Sequence, residues 1–178
     1  MPGDRRSLSE WAVLGLLAET PRHPYDLSRH LVAGSALGRI ITVHRPLVYR
    51  AVDRLAASGL IEARGIEPGS GGPERTVYRT TAAGRERLAG WLQEPVDHVR
   101  DLRQAFLLKL LLLRRSGSSP VDLIHRQRTA LAGALGGLER LPADPDEVDL
   151  WRHHNAGAAS AFLDEAARRF GNGAVGER

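Results

Sequence analysis

The chain has 178 residues, of which 42% are hydrophobic and 26% are charged, the composition of a soluble globular protein with one or two domains. It contains no cysteine, which excludes disulfide bonds, thiolate metal sites and a cysteine nucleophile. The net charge is +4 and Lys109 is the only lysine, so the basic side chains are almost all arginine, which binds phosphate bidentately and is compatible with a nucleic-acid partner.

The first third of the chain predicts three helices. Ser7 and Glu10 have the spacing of a capping box, which predicts a helix from there to about residue 20. Pro24 suits the first turn of a second helix, at about residues 25–32, and Pro46 suits the first position of a third helix, at about residues 46–58. Gly59 is the expected C-terminal cap of this third helix.

The third helix is predicted to have two different faces. Its apolar residues recur at helical spacing and form one stripe, which consists of Val48, Ala51, Val52 and Leu55. Arginines and other polar residues fall largely outside this stripe. The helix should therefore pack on one side and expose arginine on the other.

A β-hairpin follows the third helix. Residues 60–64 and 75–80 are rich in β-branched, apolar or aromatic residues and are predicted as its two strands. Residues 68–73 contain two prolines and three glycines, which predicts a long, flexible tip. Thr81 is expected to cap a fourth helix that ends at Pro95.

The remainder of the chain is predicted to be helical. A fifth helix is expected at about residues 96–115, and its apolar stretch at 105–113 should be buried on several sides. A sixth begins at Ser119-Pro120, and a seventh begins at residues 144–147 with Asp144 as N-cap. Residues 171–178 are predicted to be a disordered tail. The seventh helix carries one long stripe, formed by Val148, Trp151, Asn155, Ala158, Phe162, Ala166 and Phe170.

Three helices and a hairpin are the layout of a winged helix-turn-helix, in which the third helix enters the major groove of DNA. Residues 22–79 contain nine arginines and five acidic residues, so the entire excess of four positive charges lies in this layout. We therefore predict a mainly α-helical chain with a small β-hairpin. It comprises an N-terminal winged helix-turn-helix domain at residues 7–95 and a C-terminal helical domain at residues 96–170.

Four stretches of the sequence, in this order, resemble the PadR-like family of transcriptional regulators. The stretches are Val13–Leu17, His23–Leu27, Val48–Leu55 with Ser58–Ile61, and Gly71–Thr81 followed by Gly84. The resemblance covers about residues 10–92, whereas residues 96–170 resemble the family's dimerisation domain by layout only. It implies a homodimeric DNA-binding repressor that binds a palindromic operator and is released by a small-molecule effector.

Two stretches depart from the family's pattern. His23-Pro24-Tyr25 replaces the common His-Gly-Tyr, and proline is tolerated at a helix start. Residues 44–47 replace a small polar stretch, often Ser-x-Gly-Thr, so arginine or histidine stands where a hydroxyl donor is usual. DNA specificity can therefore differ from that of the family. This change also leaves open an alternative, a winged-helix protein–protein interaction module that does not bind DNA.

The predicted DNA contacts lie on the third helix, the start of the second helix and the hairpin. They are Tyr25, His44, Arg45, Tyr49, Arg50, Arg54, Arg75 and Arg79. Tyr49 is expected to contact phosphate, and Arg45 could reach guanine. Strict alternation along the second strand would place Arg75, Val77 and Arg79 on one face, so an inward Val77 would turn one of the arginines aside. The alternative for these residues is a solvated arginine face.

The C-terminal helices are predicted to form the homodimer, because the apolar stretch at 105–113 has too little cover in three helices and a partner's helices would bury it. Two recognition helices would then lie about 34 Å apart on a palindromic site. A small aromatic or hydrophobic effector is expected near Trp11, Trp151, His154 and Asn155. The alternative role of the tryptophans is packing in the core or the dimer.

Features of other protein classes are absent from the sequence. There is no export signal and no apolar run of the roughly 20 residues that a membrane span needs, so a cytoplasmic protein without a membrane partner is expected. There is no glycine-rich phosphate loop, HExxH motif or serine elbow, and the seven histidines lack metal-ligand spacing. We therefore expect no enzyme activity, no metal and no cofactor.

Overall fold

The computed structural model describes residues 6–69, 72–138 and 140–172. The chain divides into two compact units, Met1–Leu92 and Gln93–Arg178. The described residues are mainly helical and contain one two-stranded antiparallel sheet, as the sequence predicts.

Three helices open the N-terminal unit: α1 at Leu8–Glu19, α2 at Pro24–His30 and α3 at Arg45–Ala57. The hydroxyl of Ser7 accepts a hydrogen bond from the N–H of Glu10 at 3.3 Å, which confirms the predicted cap of α1. The helix α3 begins one residue earlier than predicted, so that Pro46 takes its second position.

The core of the N-terminal unit is formed by apolar faces of these helices. The stripe predicted for α3 is buried in full and packs in the same core as α1, which is apolar along most of its length. The ring of Trp11 stacks on that of Trp91, with centroids 4.6 Å apart and planes inclined by 7°. The α3 surface is therefore divided into a buried apolar side and an exposed polar side.

The hairpin that follows consists of β1 at Ile61–Gly69 and β2 at Gly72–Thr80 and is longer than predicted. Each strand of a two-stranded sheet has one unpaired edge, and proline is tolerated there. Pro68 has no partner in the strand register, which is irregular between Glu67 and Gly69. The predicted long tip therefore shrinks to the residues between the strands. Ser70 and Gly71 lie outside the described residues.

A further backbone pairing joins the hairpin to the α1–α2 connection. The N–H of Arg22 donates to the carbonyl of Tyr78 at 3.1 Å, and the N–H of Tyr78 donates to the carbonyl of Arg22 at 2.9 Å. This short bridge, which the sequence did not predict, fixes the start of α2 against β2.

The helix α4, at Ala82–Gln93, follows directly after β2. The hydroxyl of Thr81 accepts a hydrogen bond from the N–H of Gly84 at 3.1 Å, which confirms the predicted cap. A Cβ at Gly84 would lie 2.0 Å from the carbonyl oxygen of Leu60, so a larger residue cannot fit without moving the backbone. Glycine is thus required where α4 passes the start of the hairpin.

The predicted fifth helix is wrong in its first half. A short 3-10 helix spans Val99–Arg103, and the helix α5 covers only Ala105–Arg115. The side-chain amide of Gln127 accepts from the N–H of Val96 at 2.7 Å and donates to its carbonyl at 2.8 Å. The backbone of Val96 is thus bound by the side chain of Gln127 and lies outside any helix.

The apolar stretch of α5 is buried within a single chain, which removes the argument that it needs a partner. Its most buried side chains are Phe106, Leu108, Leu110, Leu112 and Leu113, and Lys109 is also buried. The nitrogen Nζ of Lys109 donates to the carbonyl of Glu94 at 2.5 Å. Burial lowers the pKa of Lys109 to about 8, while the nearby Glu94 and Asp97 carboxylates oppose the shift.

The last two helices are α6 at Val121–Leu138 and α7 at Glu147–Asn172. The N-cap of α7 is Asp146 and not Asp144, because Oδ1 of Asp146 accepts from the N–H groups of Val148 and Asp149 at 2.9 and 2.8 Å. Gly171 and Asn172 of the predicted tail belong to α7, and residues 173–178 lie outside the described residues.

The stripe predicted for α7 does not coincide with its buried side. The buried residues of the helix are Ala156, Ala159, Leu163 and Ala166. Of the predicted stripe, only Ala166 is among them, whereas Val148 is exposed and Trp151 is 71% exposed. The first turns of α7 therefore carry large apolar side chains that this chain leaves uncovered.

Candidate nucleic-acid interface

The exposed face of α3 lies opposite its buried stripe. Arg45, Tyr49 and Arg50 are exposed on this face, with Tyr49 at 43%. Among the described residues, no carboxylate forms an ion pair with Arg45 or Arg50. These two guanidinium groups are consequently available to an anion from solution.

The N-terminus of α3 is built without a side-chain cap. His44 takes the N-cap position and is exposed, but its imidazole makes no capping hydrogen bond. Pro46, at the second position of the helix, has no N–H to satisfy. No capping hydrogen bond therefore fixes the orientation of the His44 or Arg45 side chain.

Three predicted contact residues, from three different elements, meet at the ring of Tyr25. The guanidinium carbon of Arg45 lies 4.8 Å from the ring centroid, and that of Arg75 lies 5.3 Å from it. The ring of His23 lies alongside, with its centroid 6.2 Å from that of Tyr25 and the planes inclined by 20°. We refer to His23, Tyr25, Arg45 and Arg75 as the Tyr25 cluster.

Three members of the Tyr25 cluster, His23, Tyr25 and Arg75, border a cavity of about 370 Å³ between α2, α3 and β2. Tyr49 of α3 also lines the cavity, together with the carboxylates of Asp53 and Glu74. The cavity therefore presents donors and acceptors side by side. Such a mixed surface can hydrogen-bond both phosphate oxygens and base amino groups.

Two of the predicted arginines are paired with carboxylates. Arg54 Nη1 lies 3.1 Å from Oε1 of Glu10, whose side chain is only 6% exposed although that of Arg54 is 68% exposed. Arg79 donates to Glu62 across the hairpin at 2.7 Å, with both side chains about half exposed. Each of these guanidinium groups is therefore partly neutralised by a carboxylate, and its remaining N–H groups can still contact another anion.

The second strand agrees with the prediction at Val77, which is buried. Arg75 is half-buried against Tyr25, and Arg79 is exposed. The two arginines thus differ in exposure, and whether either contacts DNA stays a prediction.

The start of α2 contains polar residues that sequence reasoning did not assign. The Nδ1 of His23 accepts from the N–H of Asp26 at 3.1 Å and caps the helix, and Arg22 donates to the carboxylate of Asp26 at 2.7 Å. Partial burial raises the pKa of Asp26, but the hydrogen bond and charge of Arg22 outweigh it, with help from His30 and His23, and the pKa lies below 3.8. The spacing of Arg22 and Asp26, four residues apart, is the sequence signal for this pair.

The predicted effector residues lie in different surroundings within their own units. Trp11 is buried against Trp91 in the N-terminal unit and therefore has a packing role. In the C-terminal unit, Trp151 is exposed, and the exposed His154 contacts the ring of His153 edge to face at 5.3 Å. Asn155 lines a cavity of about 250 Å³ whose other lining residues are Val99, Leu102, Arg103, Leu107, Ala158, Ala159 and Phe162.

Comparisons with known proteins identify the N-terminal part of the chain. Residues 13–90 match the model of the transcriptional regulator PadR-like family. These residues are a PadR-like domain. The family that the sequence motifs resemble is thereby confirmed, and it is a family of transcriptional regulators, not of enzymes.

Individual PadR-like and regulatory proteins are similar over most of the chain. The probable transcriptional regulator Rv1176c of Mycobacterium tuberculosis is 27% identical over 152 residues, which are 78% of this chain and 79% of that protein. The crystal structure of Bacillus subtilis PadR in complex with operator DNA has a TM-score of 0.50 and 20% identity, covering 95% of this chain and 97% of that chain. The PadR-like regulator BC1756 of Bacillus cereus has a TM-score of 0.43 and 17% identity, covering 97% and 98%.

The PadR-like domain extends from α1 into α4 and contains the whole Tyr25 cluster. Within the described part of the chain, no group of three or more histidine, aspartate or glutamate residues has the arrangement of a metal site. None of the described helices combines the length and apolar character that crossing a membrane requires.

Proposed function

We propose that this protein is a homodimeric repressor that binds a double-stranded DNA operator through α3 and the hairpin. The observation that carries the proposal is the division of α3 into a fully buried apolar side and an exposed side with Arg45, Tyr49 and Arg50. A helix anchored in this way can enter the major groove without unpacking the core. The similar fold of Bacillus subtilis PadR, whose crystal structure contains operator DNA, supports the same use of this domain.

The proposed contacts differ in role. The exposed Tyr49 and Arg50 would contact phosphate or base edges from the middle of α3, and Arg45 would do so from its first turn. Arg75 would contact the phosphate backbone of the DNA from the hairpin. Arg54 and Arg79 remain proposed contacts, but a carboxylate partner already neutralises part of the charge of each.

The proposed dimer is formed by the C-terminal helices, with α7 as the main contributor. Val148, Leu150 and Trp151 are large apolar residues that the first turns of α7 leave exposed in the single chain. Contiguous exposed apolar side chains are typical of protein–protein interfaces. A second copy of the chain would cover them, and a two-fold axis would present two α3 helices to a palindromic operator.

The proposed effector site is the cavity of about 250 Å³ bordered by Asn155. Its walls are mostly apolar, with the guanidinium of Arg103 and the amide of Asn155 as polar groups, a composition typical of small-molecule pockets. A small aromatic or hydrophobic compound would fit this chemistry. Because coupling between sites is reciprocal, an effector that weakens DNA binding should itself bind less tightly in the presence of DNA.

The experiment that tests DNA binding is selection of duplexes from a random library by the full-length protein, followed by fluorescence anisotropy on the selected duplex. We expect salt-dependent binding, and we expect Arg50→Ala to weaken it about tenfold and to reduce the salt slope by about one. Arg140→Ala removes an exposed arginine of the α6–α7 connection and is the matched control that should leave affinity unchanged.

Two results would contradict the proposal. If no duplex is enriched and binding shows no salt dependence, the protein does not act on DNA directly. If Arg50→Ala binds as tightly as the wild type, then α3 is not the recognition helix. The winged-helix protein–protein interaction module would then be the better description.

A further inference from the structure

The Tyr25 cluster places two cations over one aromatic ring. Tyr25 belongs to the first turn of α2, Arg45 to the first turn of α3 and Arg75 to β2. Both guanidinium carbons lie within 5.3 Å of the ring centroid, inside the range of about 6 Å for cation–π attraction. One ring thus contacts the recognition helix and the hairpin at the same time.

The position of this ring is itself restrained from several directions. His23 caps α2 through Nδ1 and lies alongside the ring of Tyr25, while Pro24 fixes the backbone between them. The backbone bridge of Arg22 with Tyr78 attaches the same segment to β2. The ring therefore has a defined place relative to the strand that carries Arg75.

Restraint of the two arginines has a direct consequence for binding. A free arginine side chain samples many rotamers, and it loses part of this freedom when it contacts a phosphate. A side chain that already lies against a ring has lost some of this freedom before DNA arrives, so less is lost on binding. The ring attracts each cation through its negative face and leaves the N–H groups at the guanidinium edge able to donate.

We propose that Tyr25 is a positioning residue that holds Arg45 and Arg75 together, so that α3 and the hairpin engage DNA as one surface. The ring carries this role, and the hydroxyl group does not. The inference rests on the proposed DNA-binding function and replaces the direct DNA contact predicted for Tyr25 from the sequence. It also explains why Arg75 is only half exposed although it lies on a hairpin strand.

The test uses the full-length protein and the duplex selected by the wild type, with affinity measured by fluorescence anisotropy. Tyr25→Phe keeps the ring and removes the hydroxyl, whereas Tyr25→Leu removes the ring at a site that is 38% exposed. We expect Tyr25→Phe to bind within twofold of the wild type and Tyr25→Leu to bind about five- to tenfold more weakly. Tyr25→Trp, which offers a stronger cation–π surface, should bind at least as tightly as the wild type.

Double-mutant cycles separate positioning from general damage to the fold. The loss caused by Tyr25→Leu should shrink in the Arg45→Ala background and again in the Arg75→Ala background, because the ring then has less to position. The matched control is Arg64→Ala, which removes an exposed arginine of β1. The fold-losses in DNA affinity caused by Arg64→Ala and Tyr25→Leu should simply multiply in the double variant. Melting temperatures of the Tyr25 variants should agree within a few degrees.

Each contrary outcome overturns the inference. Equal losses for Tyr25→Phe and Tyr25→Leu would show that the hydroxyl contacts DNA. A Tyr25→Leu variant that binds normally, or whose effect is independent of either Arg45 or Arg75, would show that the ring does not position both arginines. Absence of DNA binding by the wild type is a different result, because it refutes the proposed function before any variant is compared.

Discussion

The side chain of Gln127 should be one of the most important polar groups for the stability of the C-terminal unit. It is fully buried, and its amide makes two hydrogen bonds with the backbone of Val96, one accepted at 2.7 Å and one donated at 2.8 Å. Gln127→Met keeps the volume and shape of the side chain but removes both polar atoms. The N–H and carbonyl of Val96, itself a buried residue, would then lack these partners.

The expected loss in the free energy of unfolding follows from these two hydrogen bonds. A buried polar group that loses its partner costs about 1–3 kcal/mol, so the two groups together predict a loss of about 2–6 kcal/mol. Small domains have a free energy of unfolding of about 5–15 kcal/mol, so the variant should lose a large fraction of its stability. With a urea dependence of about 2 kcal/mol per molar, the midpoint of unfolding should fall by about 1 M or more.

The assay is urea unfolding followed by circular dichroism at 222 nm, at one fixed protein concentration because association changes apparent stability. Gln104→Met is the matched control, since Gln104 is exposed and makes no capping hydrogen bond at the start of α5. That control should change the free energy of unfolding by less than about 0.5 kcal/mol. If Gln127→Met matches the control, the two hydrogen bonds with Val96 do not stabilise this unit.

Three further predictions concern charge and association. Because burial holds the pKa of Lys109 at about 8, below its ordinary 10.5, the unfolded chain binds more protons between these values and stability should rise with pH across them. Lys109→Met should remove this rise in urea unfolding at pH 7–10, and parallel pH profiles would contradict it. Arg54→Ala should destabilise the fold by up to about 1 kcal/mol, because the buried Glu10 carboxylate loses a partner. Arg50→Ala should leave stability unchanged, and equal melting temperatures for the two variants would refute this difference. Trp151→Glu should shift a dimer toward monomer in analytical ultracentrifugation, and an unchanged dimer would place the interface elsewhere.

Features that depend on a few neighbouring residues could be predicted from the sequence. The caps formed by Ser7 and Thr81 follow from hydrogen bonds that span three residues, and the buried stripe of α3 follows from helical spacing. The choice between Asp144 and Asp146 as the cap of α7 was ambiguous because both residues flank Pro145. Local pattern alone could not distinguish a proline inside the helix from one before it.

Features that depend on distant residues could not be predicted in this way. In the non-helical first half of the fifth predicted helix, the backbone of Val96 is bound by Gln127, which lies 31 residues further along the chain. The pairing of Arg54 with Glu10 spans 44 residues and that of Arg79 with Glu62 spans 17. Nothing near these arginines in the sequence shows that a carboxylate reaches them, so all appeared equally available to DNA.

The excess of positive charge in residues 22–79 therefore has a more specific meaning in the folded chain than in the sequence. Its arginines divide into those that neutralise a carboxylate, such as Arg22, Arg54 and Arg79, and those that lie against a ring or in solvent, such as Arg45, Arg50 and Arg75. Substitution in the first group alters stability along with any effect on binding, because a carboxylate loses its partner. Substitution in the second group leaves those pairs intact. The salt dependence of DNA binding should accordingly follow the second group.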